Sequence, residues 1–258
     1  MKLDYASVGE NIQADYRAAV TQYRRDDEVE VTTARHRRLQ STLGNLCLSF
    51  GRPIRVLDLG CGTGRYFHCL LNVDQLFGLD LSEEMLREAP RPVRHEQVTA
   101  RDIRLANGNA YLADVPPGSF DLIYSLGMFG HGCPVTPEIL EKFHVWLAPG
   151  GKLFFDTVDV AGLSLKRQVK FQLQWIAAPL VRLRNRWFAP GRKFVPFFGM
   201  RRHQLATALR RSPFRDFQIE SHVSDSPLWR GRHLQCQATK SATWSIDSKD
   251  VARRSENF

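Results

Sequence analysis

The sequence predicts an α/β fold whose sheet is doubly wound and mostly parallel, and three stretches carry that expectation. Residues 54–59 form an apolar run of the kind that parallel strands, covered on both faces, require. The run enters Gly60-Cys61-Gly62-Thr63-Gly64, where bare backbone can turn tightly and come close to a ligand. A helix is expected on the far side, through Tyr66 and Leu71, with free N–H groups at its start. Residues 75–80, QLFGLD, make a second strand, ending in Asp80. Further on, an amphipathic helix, an Ala148-Pro149-Gly150-Gly151 turn and an apolar strand follow one another. Strands alternating with helices build parallel sheets.

A glycine-rich turn after a strand serves nucleotide, phosphate and cofactor sites alike. Dinucleotide sites favour G-x-G-x-x-G, whose last glycine lets helix and strand pack closely. This chain has G-x-G-x-G preceded by Asp58, and no P-loop lysine. The run VLDLGCGTG resembles motif I of the class I S-adenosylmethionine-dependent methyltransferases. LAPGGKLFFDT resembles a second, independent signature of that family, and residues 120–125, FDLIYS, its motif IV. The resemblance covers roughly residues 40–160, and 200–240 more loosely. It implies a seven-stranded Rossmann-like methyltransferase sheet with an antiparallel last strand, and S-adenosyl-L-methionine as cofactor. The glycine turn would cradle the methionine part, with no side chain at Gly60, Gly62 or Gly64 blocking the approach. Cofactor contacts are expected from Asp58, Gly60, Cys61, Gly62, Gly64, Asp80, Leu81, Asn109, Ala110, Ser125 and Leu126.

Taken in order, residues 1–50 read as a helical cover, with Leu39, Leu43 and Leu46 at helical spacing. Family members place such helices over the cofactor, often with an aromatic side chain; Tyr5 and Tyr16 are the candidates here, with plain packing as the alternative. Asp80 can accept two hydrogen bonds from a ribose diol. Its other reading is as part of the helix cap formed by Ser82, with Glu83 and Glu84 in the first turn; position and residue type favour the ribose. Residues 90–102 are a connection and 103–106 a short third strand. In the Gly108-Asn109-Ala110-Tyr111 stretch, the family usually has Asp at the Asn109 position, bonding the adenine amino group; Asn can accept through its carbonyl oxygen. A turn at 116–119 precedes the fourth strand, 120–125. In the family, acceptor and methyl meet at the C-terminal end of this strand, which the loop 126–132 borders. Thr136 as N-cap and Pro137 at the first position open a helix whose stripe is Ile139, Leu140, Phe143, Trp146 and Leu147. After the fifth strand, 152–156, residues 202–211 form a helix with Leu205, Ala208 and Leu209 inward. Residues 217–223 and 233–238 close the sheet as a hairpin at one edge. The domain division is 1–50, 51–240 with an insert at 159–200, and a polar tail, 241–258, expected to be disordered.

The apolar fraction of 43% supports a substantial core. No run approaches the ~20 apolar residues of a membrane span, and MKLDYASVGE has no secretory h-region, so a cytoplasmic location is expected. Cys47, Cys61, Cys69, Cys133 and Cys236 are odd in number and lack a CxxC pair, which supports neither a disulfide framework nor a zinc knuckle. No His, Cys or Asp cluster has metal-ligand spacing, and no metal is expected.

The net charge of +9 is local: residues 159–203 hold ten Lys or Arg and one acid, and the remainder is balanced. In this insert Leu165, Val169, Leu173, Ile176, Leu180, Leu183 and Trp187 repeat along one helical face, flanked by Lys166, Arg167, Lys170, Arg182, Arg184 and Arg186. Pro179 is expected to kink or split the helix. Three readings compete. The stripe packs on the domain as a cap; residues 163–188 lie on an anionic membrane surface and admit a lipid-like acceptor; or the basic face grips an anionic substrate, RNA included. Nucleic acid is the less favoured partner.

The resemblance implies methyl transfer to an O, N or C acceptor on a small or lipid-like molecule. His131, beside motif IV, is the candidate general base, weighed equally against a loop histidine with no chemical role; His144, inside a helix, reads as structural. Two other functions compete: a non-catalytic S-adenosylmethionine-binding protein, and an RNA methyltransferase using the basic insert. A nicotinamide-dependent oxidoreductase would share the strand, glycines and acid, but the glycine spacing and LAPGGKLFFDT oppose it.

Overall fold

Strand β1 (Ile54–Leu59) lies inside a seven-stranded sheet of order β3-β2-β1-β4-β5-β7-β6. β2 (Val73–Asp80) and β4 (Phe120–Ser125) flank it in parallel, β3 (Asp102–Asn107) lies beyond β2, and β5 (Leu147–Val158) beyond β4. β7 (Gly231–Thr239) runs antiparallel to both β5 and the edge strand β6 (Asp216–Ser224). The computed structural model describes residues 20–130, 132–188, 196–227 and 231–242, with backbone alone for 175–179, 181–182 and 184–188. The chain progresses outward from β1 through β2 to β3, then returns to β4 on the opposite side. That reversal opens a crevice at the C-terminal strand ends, where open α/β sheets bind ligands.

Alternate residues of the central strands feed two cores on opposite faces. Ile54, Val56, Leu122, Tyr124 and Phe154 join one cluster, and Leu57, Leu59, Ile123, Leu153 and Phe155 the other. The second is covered by α4 (Pro137–Trp146) and α6 (Arg202–Arg211), numbering helices in chain order. Thr136 caps α4 by accepting from Ile139 N–H, and Ile139, Leu140, Phe143 and Trp146 are buried. Leu205, Ala208 and Leu209 of α6 are buried as well. His144 packs edge-on against Phe214, 5.1 Å between ring centres.

The helix expected after the glycine turn is replaced by tighter turns. Residues 61–66 turn sharply, Phe67–Cys69 is a 3-10 turn, and β2 has begun by Val73. The connection spans residues 60–72 and spends its first part on the glycine turn, leaving little length for a helix. The vacated face is covered by α2 (Ala34–Leu48), whose Leu39, Leu43, Leu46 and Cys47 pack with Ile54, Val56, Phe67 and Leu70. α1 (Val20–Glu30) precedes it; Thr33 breaks the two helices apart and caps α2 through His36 N–H.

The four residues 148–151 are absorbed into β5 as an irregularity: Phe120 pairs with Leu147, but Leu122 already with Lys152. Gly150 there has φ +75°, and a Cβ on Gly151 would stand 2.7 Å from Ala148 O. After α3 (Glu83–Glu88), capped by Ser82, the connection to β3 carries only a 3-10 turn, His95–Gln97. The insert holds one long helix, α5 (Leu165–Phe188), which Pro179 does not split. Among the described residues, no helix is long and apolar enough to cross a membrane.

Candidate functional site

The crevice between the ends of β1, β2 and β4 is an open cleft, placed where open α/β sheets bind small molecules. Register builds its floor: Leu59 pairs with Leu79, and Gly60 N–H donates to Leu79 O at 2.8 Å, so Asp80 meets the glycine turn. Asp80 Oδ2 accepts from Gly62 N–H at 2.8 Å and Oδ1 from Ser82 N–H at 2.9 Å. Burial raises the Asp80 pKa, against the pull of the Ser82, Gly62 and Leu81 N–H groups. Each oxygen retains a lone pair for a ligand. The helix cap itself is made by Ser82 Oγ, which accepts from Met85 N–H, so Asp80 supports the cap and can still face the cleft.

The three glycines play different parts. Gly62, at φ +54°, has nothing within 4 Å of a hypothetical Cβ; it is the open position of the turn. A Cβ on Gly60 would meet Met128 at 3.0 Å. At Gly64 it would sit 2.8 Å from the Phe67 ring, and Gly64 does not line the cleft. Gly64 thus serves the turn, which corrects the expectation that all three bare positions face a ligand.

Of the other expected contacts, Cys61, Leu81, Asn109, Ala110 and Leu126 line the cleft. Asn109 Oδ1 already accepts from Tyr111 N–H at 3.0 Å, fixing the side chain in its turn. Asp58 and Ser125 lie beneath the floor. Asp58 accepts from Tyr124 Oη at 2.6 Å, and burial pushes its pKa up to about 8. Ser125 Oγ donates to Leu59 O at 2.8 Å, tying β4 to β1. His131, Tyr5 and Tyr16 lie outside the described residues.

Several cleft residues carried no signal in the sequence. Tyr23 of α1 supplies an aromatic wall, and Arg65, Tyr66, Met85, Tyr111, Met128 and Cys133 are among the other lining residues. Beneath them runs a buried ionic network. Asp27 of α1 accepts from Thr63 Oγ1 and Arg65 Nε; Arg35 of α2 reaches Glu30 at 2.7 Å, Asp156 at 2.8 Å and Tyr66 Oη at 3.0 Å. Asp156 also accepts from Gly127 N–H at 2.7 Å, so one carboxylate joins the N-terminal helices to the loop after β4. Its members are scattered along the chain, and only the fold assembles them. The same holds for His36, His68 and Cys69, whose ligand atoms converge, although the sequence shows no metal-ligand spacing.

The far rim of the cleft is the loop after β4, and the insert is fastened to it. Gly132 N–H donates to Pro196 O and Phe198 N–H to Gly130 O, at 2.9 and 2.7 Å. Gln174 of α5 then holds Phe197 by a double hydrogen bond, at 2.6 and 2.8 Å, and Arg201 donates to Gln168 Oε1 at 3.2 Å. The contact side of α5 is thus made by Gln168, Phe171 and Gln174. Leu165, Val169, Leu173, Leu180 and Leu183 face outward, Leu165 being 77% exposed and Leu180 71%. The reading in which this stripe packs on the domain is therefore corrected; Ile176 and Trp187 lie outside the described side chains.

The features together define an α/β enzyme with a cleft at its topological switch point. Comparison with known proteins narrows the class. The methyltransferase domain family matches residues 56–151. A demethylmenaquinone methyltransferase of Lactiplantibacillus plantarum is 30% identical over 184 residues, covering 69% of this chain and 74% of that protein. A ubiquinone biosynthesis O-methyltransferase of Idiomarina loihiensis is 34% identical over 132 residues, about half of each chain (50% and 49%). An S-adenosylmethionine-dependent methyltransferase structure from Mesorhizobium loti shares the fold, with TM-score 0.52 at 23% identity, covering 80% of this chain and 97% of that one. The chain belongs to the class I S-adenosylmethionine-dependent methyltransferases, and its cofactor is S-adenosylmethionine. The residues present fit that cofactor: an open glycine, a buried carboxylate with spare lone pairs, and walls of Tyr23, Leu81, Met85 and Met128 for apolar ring surface.

Proposed function

We propose that the enzyme methylates an O, N or C atom of a small, lipid-like acceptor that enters beside the loop after β4 under α5. The observation that carries this reading is the inverted face of α5: amides hold the helix to the cleft rim while leucines point away. Basic residues flank that stripe, which suits a helix lying on anionic lipid headgroups. RNA binding would call for exposed stacking aromatics, whereas the described outward positions are Leu and Val. Two relatives are named for demethylmenaquinone and for ubiquinone biosynthesis, and an acceptor of quinone type fits the same description.

When bound, S-adenosylmethionine supplies an electrophilic methyl on a sulfonium and departs as a neutral thioether, so the protein need not stabilise a leaving charge. Gly60, Gly62 and Asp80 would hold the cofactor, with Leu81, Asn109, Ala110 and Leu126 along the nucleoside. The protein's main task is alignment, with reacting atoms held at about 3–3.5 Å. An acceptor that must lose a proton needs a base, and His131, between Gly130 and Gly132 in the sequence, is the candidate.

Equilibrium binding of labelled S-adenosylmethionine, then sedimentation with phosphatidylglycerol vesicles and with neutral vesicles, tests the reading. Micromolar cofactor binding and anionic-vesicle binding that weakens with salt are expected. Cofactor binding without vesicle binding at low salt removes the lipid-surface part, and retention of an RNA oligonucleotide in its place favours the anionic-grip reading.

A further inference from the structure

We propose that His36, His68 and Cys69 form a site for one divalent cation of the zinc class, separate from the methyl-transfer cleft. His36 comes from the first turn of α2, while His68 and Cys69 come from the 3-10 turn that replaces the expected helix. The two Nε2 atoms are 3.0 Å apart, and Cys69 Sγ lies 3.7 Å from His36 Nε2 and 3.6 Å from His68 Nε2. A cation at the centre of that triangle would stand about 2 Å from all three atoms. Zinc takes imidazole nitrogen at about 2.0–2.1 Å and thiolate sulfur at about 2.3 Å, so a shift of a few tenths of an ångström in the sulfur completes the fit. All three residues are buried, on two elements far apart in sequence.

The competing account is a simple N–H···N bond between neutral imidazoles. That bond satisfies one proton and gives no reason for a thiol nearly equidistant from both Nε2 atoms. An ion there would do a definite job. The His36 ring stacks on Tyr66, with centres 5.4 Å apart, and Tyr66 lines the cleft and bonds Arg35. Joining α2 to the turn would fix the cleft wall that follows the glycines, in a connection too short to hold itself with a helix. Binding a cation that only the folded state can ligate adds directly to stability.

The test uses the full-length chain, stripped with a chelator and titrated with Co²⁺, then Zn²⁺. One equivalent of cobalt with a near-ultraviolet thiolate-to-cobalt band, displaced by zinc, is expected. Zinc should also raise the Tm of the stripped protein. Cys69→Ser removes the band, His68→Gln weakens binding by more than about tenfold, and Cys47→Ala, a buried thiol outside the triangle, retains both. Should Cys69→Ser fail to fold, the His68→Gln and Cys47→Ala pair decides by the same readouts. Absence of stoichiometric cobalt on the folded wild type overturns the site, as does a thiolate band that survives Cys69→Ser or His68→Gln unchanged.

Discussion

Helices α4 and α5 share one sequence pattern and have opposite surroundings. Each repeats apolar residues at steps of three and four. In α4 the stripe lies on the sheet, with Phe143 and Trp146 buried. In α5 the stripe faces away, and the contact side is made by Gln168, Phe171 and Gln174. Periodicity therefore states which residues share a face, while the neighbouring elements decide what that face meets. A pair of aspartates repeats the contrast on a smaller scale. Asp58 and Asp80 lie in the last two positions of adjacent strands, yet one is sealed under the floor with Tyr124 and the other is clamped at the cleft by the Gly62 and Ser82 N–H groups.

Each contrast can be broken by substitution. Phe143→Ala should cost about 3–5 kcal/mol in denaturant unfolding, the range for emptying a packed aromatic site; a loss under about 1 kcal/mol would place α4 with surface helices. Asp80→Ala should weaken S-adenosylmethionine binding by about 10- to 100-fold in calorimetry, since a charge-assisted hydrogen bond contributes about 1.5–3 kcal/mol. Asp58→Ala should leave that affinity nearer wild type.

Asp58 supplies the pH test. Its folded pKa, about 8, exceeds the ordinary value of 3.8, so the folded state holds the proton more tightly than the unfolded chain does. The resulting stabilisation is complete below the ordinary value and is lost as pH rises through about 8. Relative to Asp58→Asn, which cannot titrate, the wild type should lose Tm steadily from pH 5 to about pH 8; parallel curves for the two proteins would refute the shift. The smallest expected stability effect is Leu173→Ala on the outward face of α5, within about 0.5 kcal/mol. Leu173→Asp should be equally silent in unfolding yet abolish vesicle sedimentation, separating a docking face from a packing face.

What could be read from the sequence follows the same division. The strands, the glycine turn and α4 were legible because apolar periodicity and caps act locally, and β4 and α6 coincide with residues 120–125 and 202–211 as expected. The absent helix after Gly64 was not, because its place is taken by α2, a competitor from another part of the chain. The outward turn of α5 depends on Gln174 meeting Phe197, a contact no spacing rule encodes. Within the cleft, Gly62 and Asp80 stood out by type and position. Tyr23 and Arg65 had no comparable mark, since Tyr23 lies among charged residues and Arg65 draws its meaning from Asp27.

That last pairing bears on how the protein could be shortened. A fragment starting at β1 would retain every signature motif and still strip the Asp27 carboxylate from Arg65 and remove Arg35 from Asp156. Ions deprived of their counter-charges in a dry interior draw in water or drive the chain apart. Residues 20–50 are thus a keystone for the glycine turn, and trimming them should yield an insoluble product even though the recognisable domain begins later.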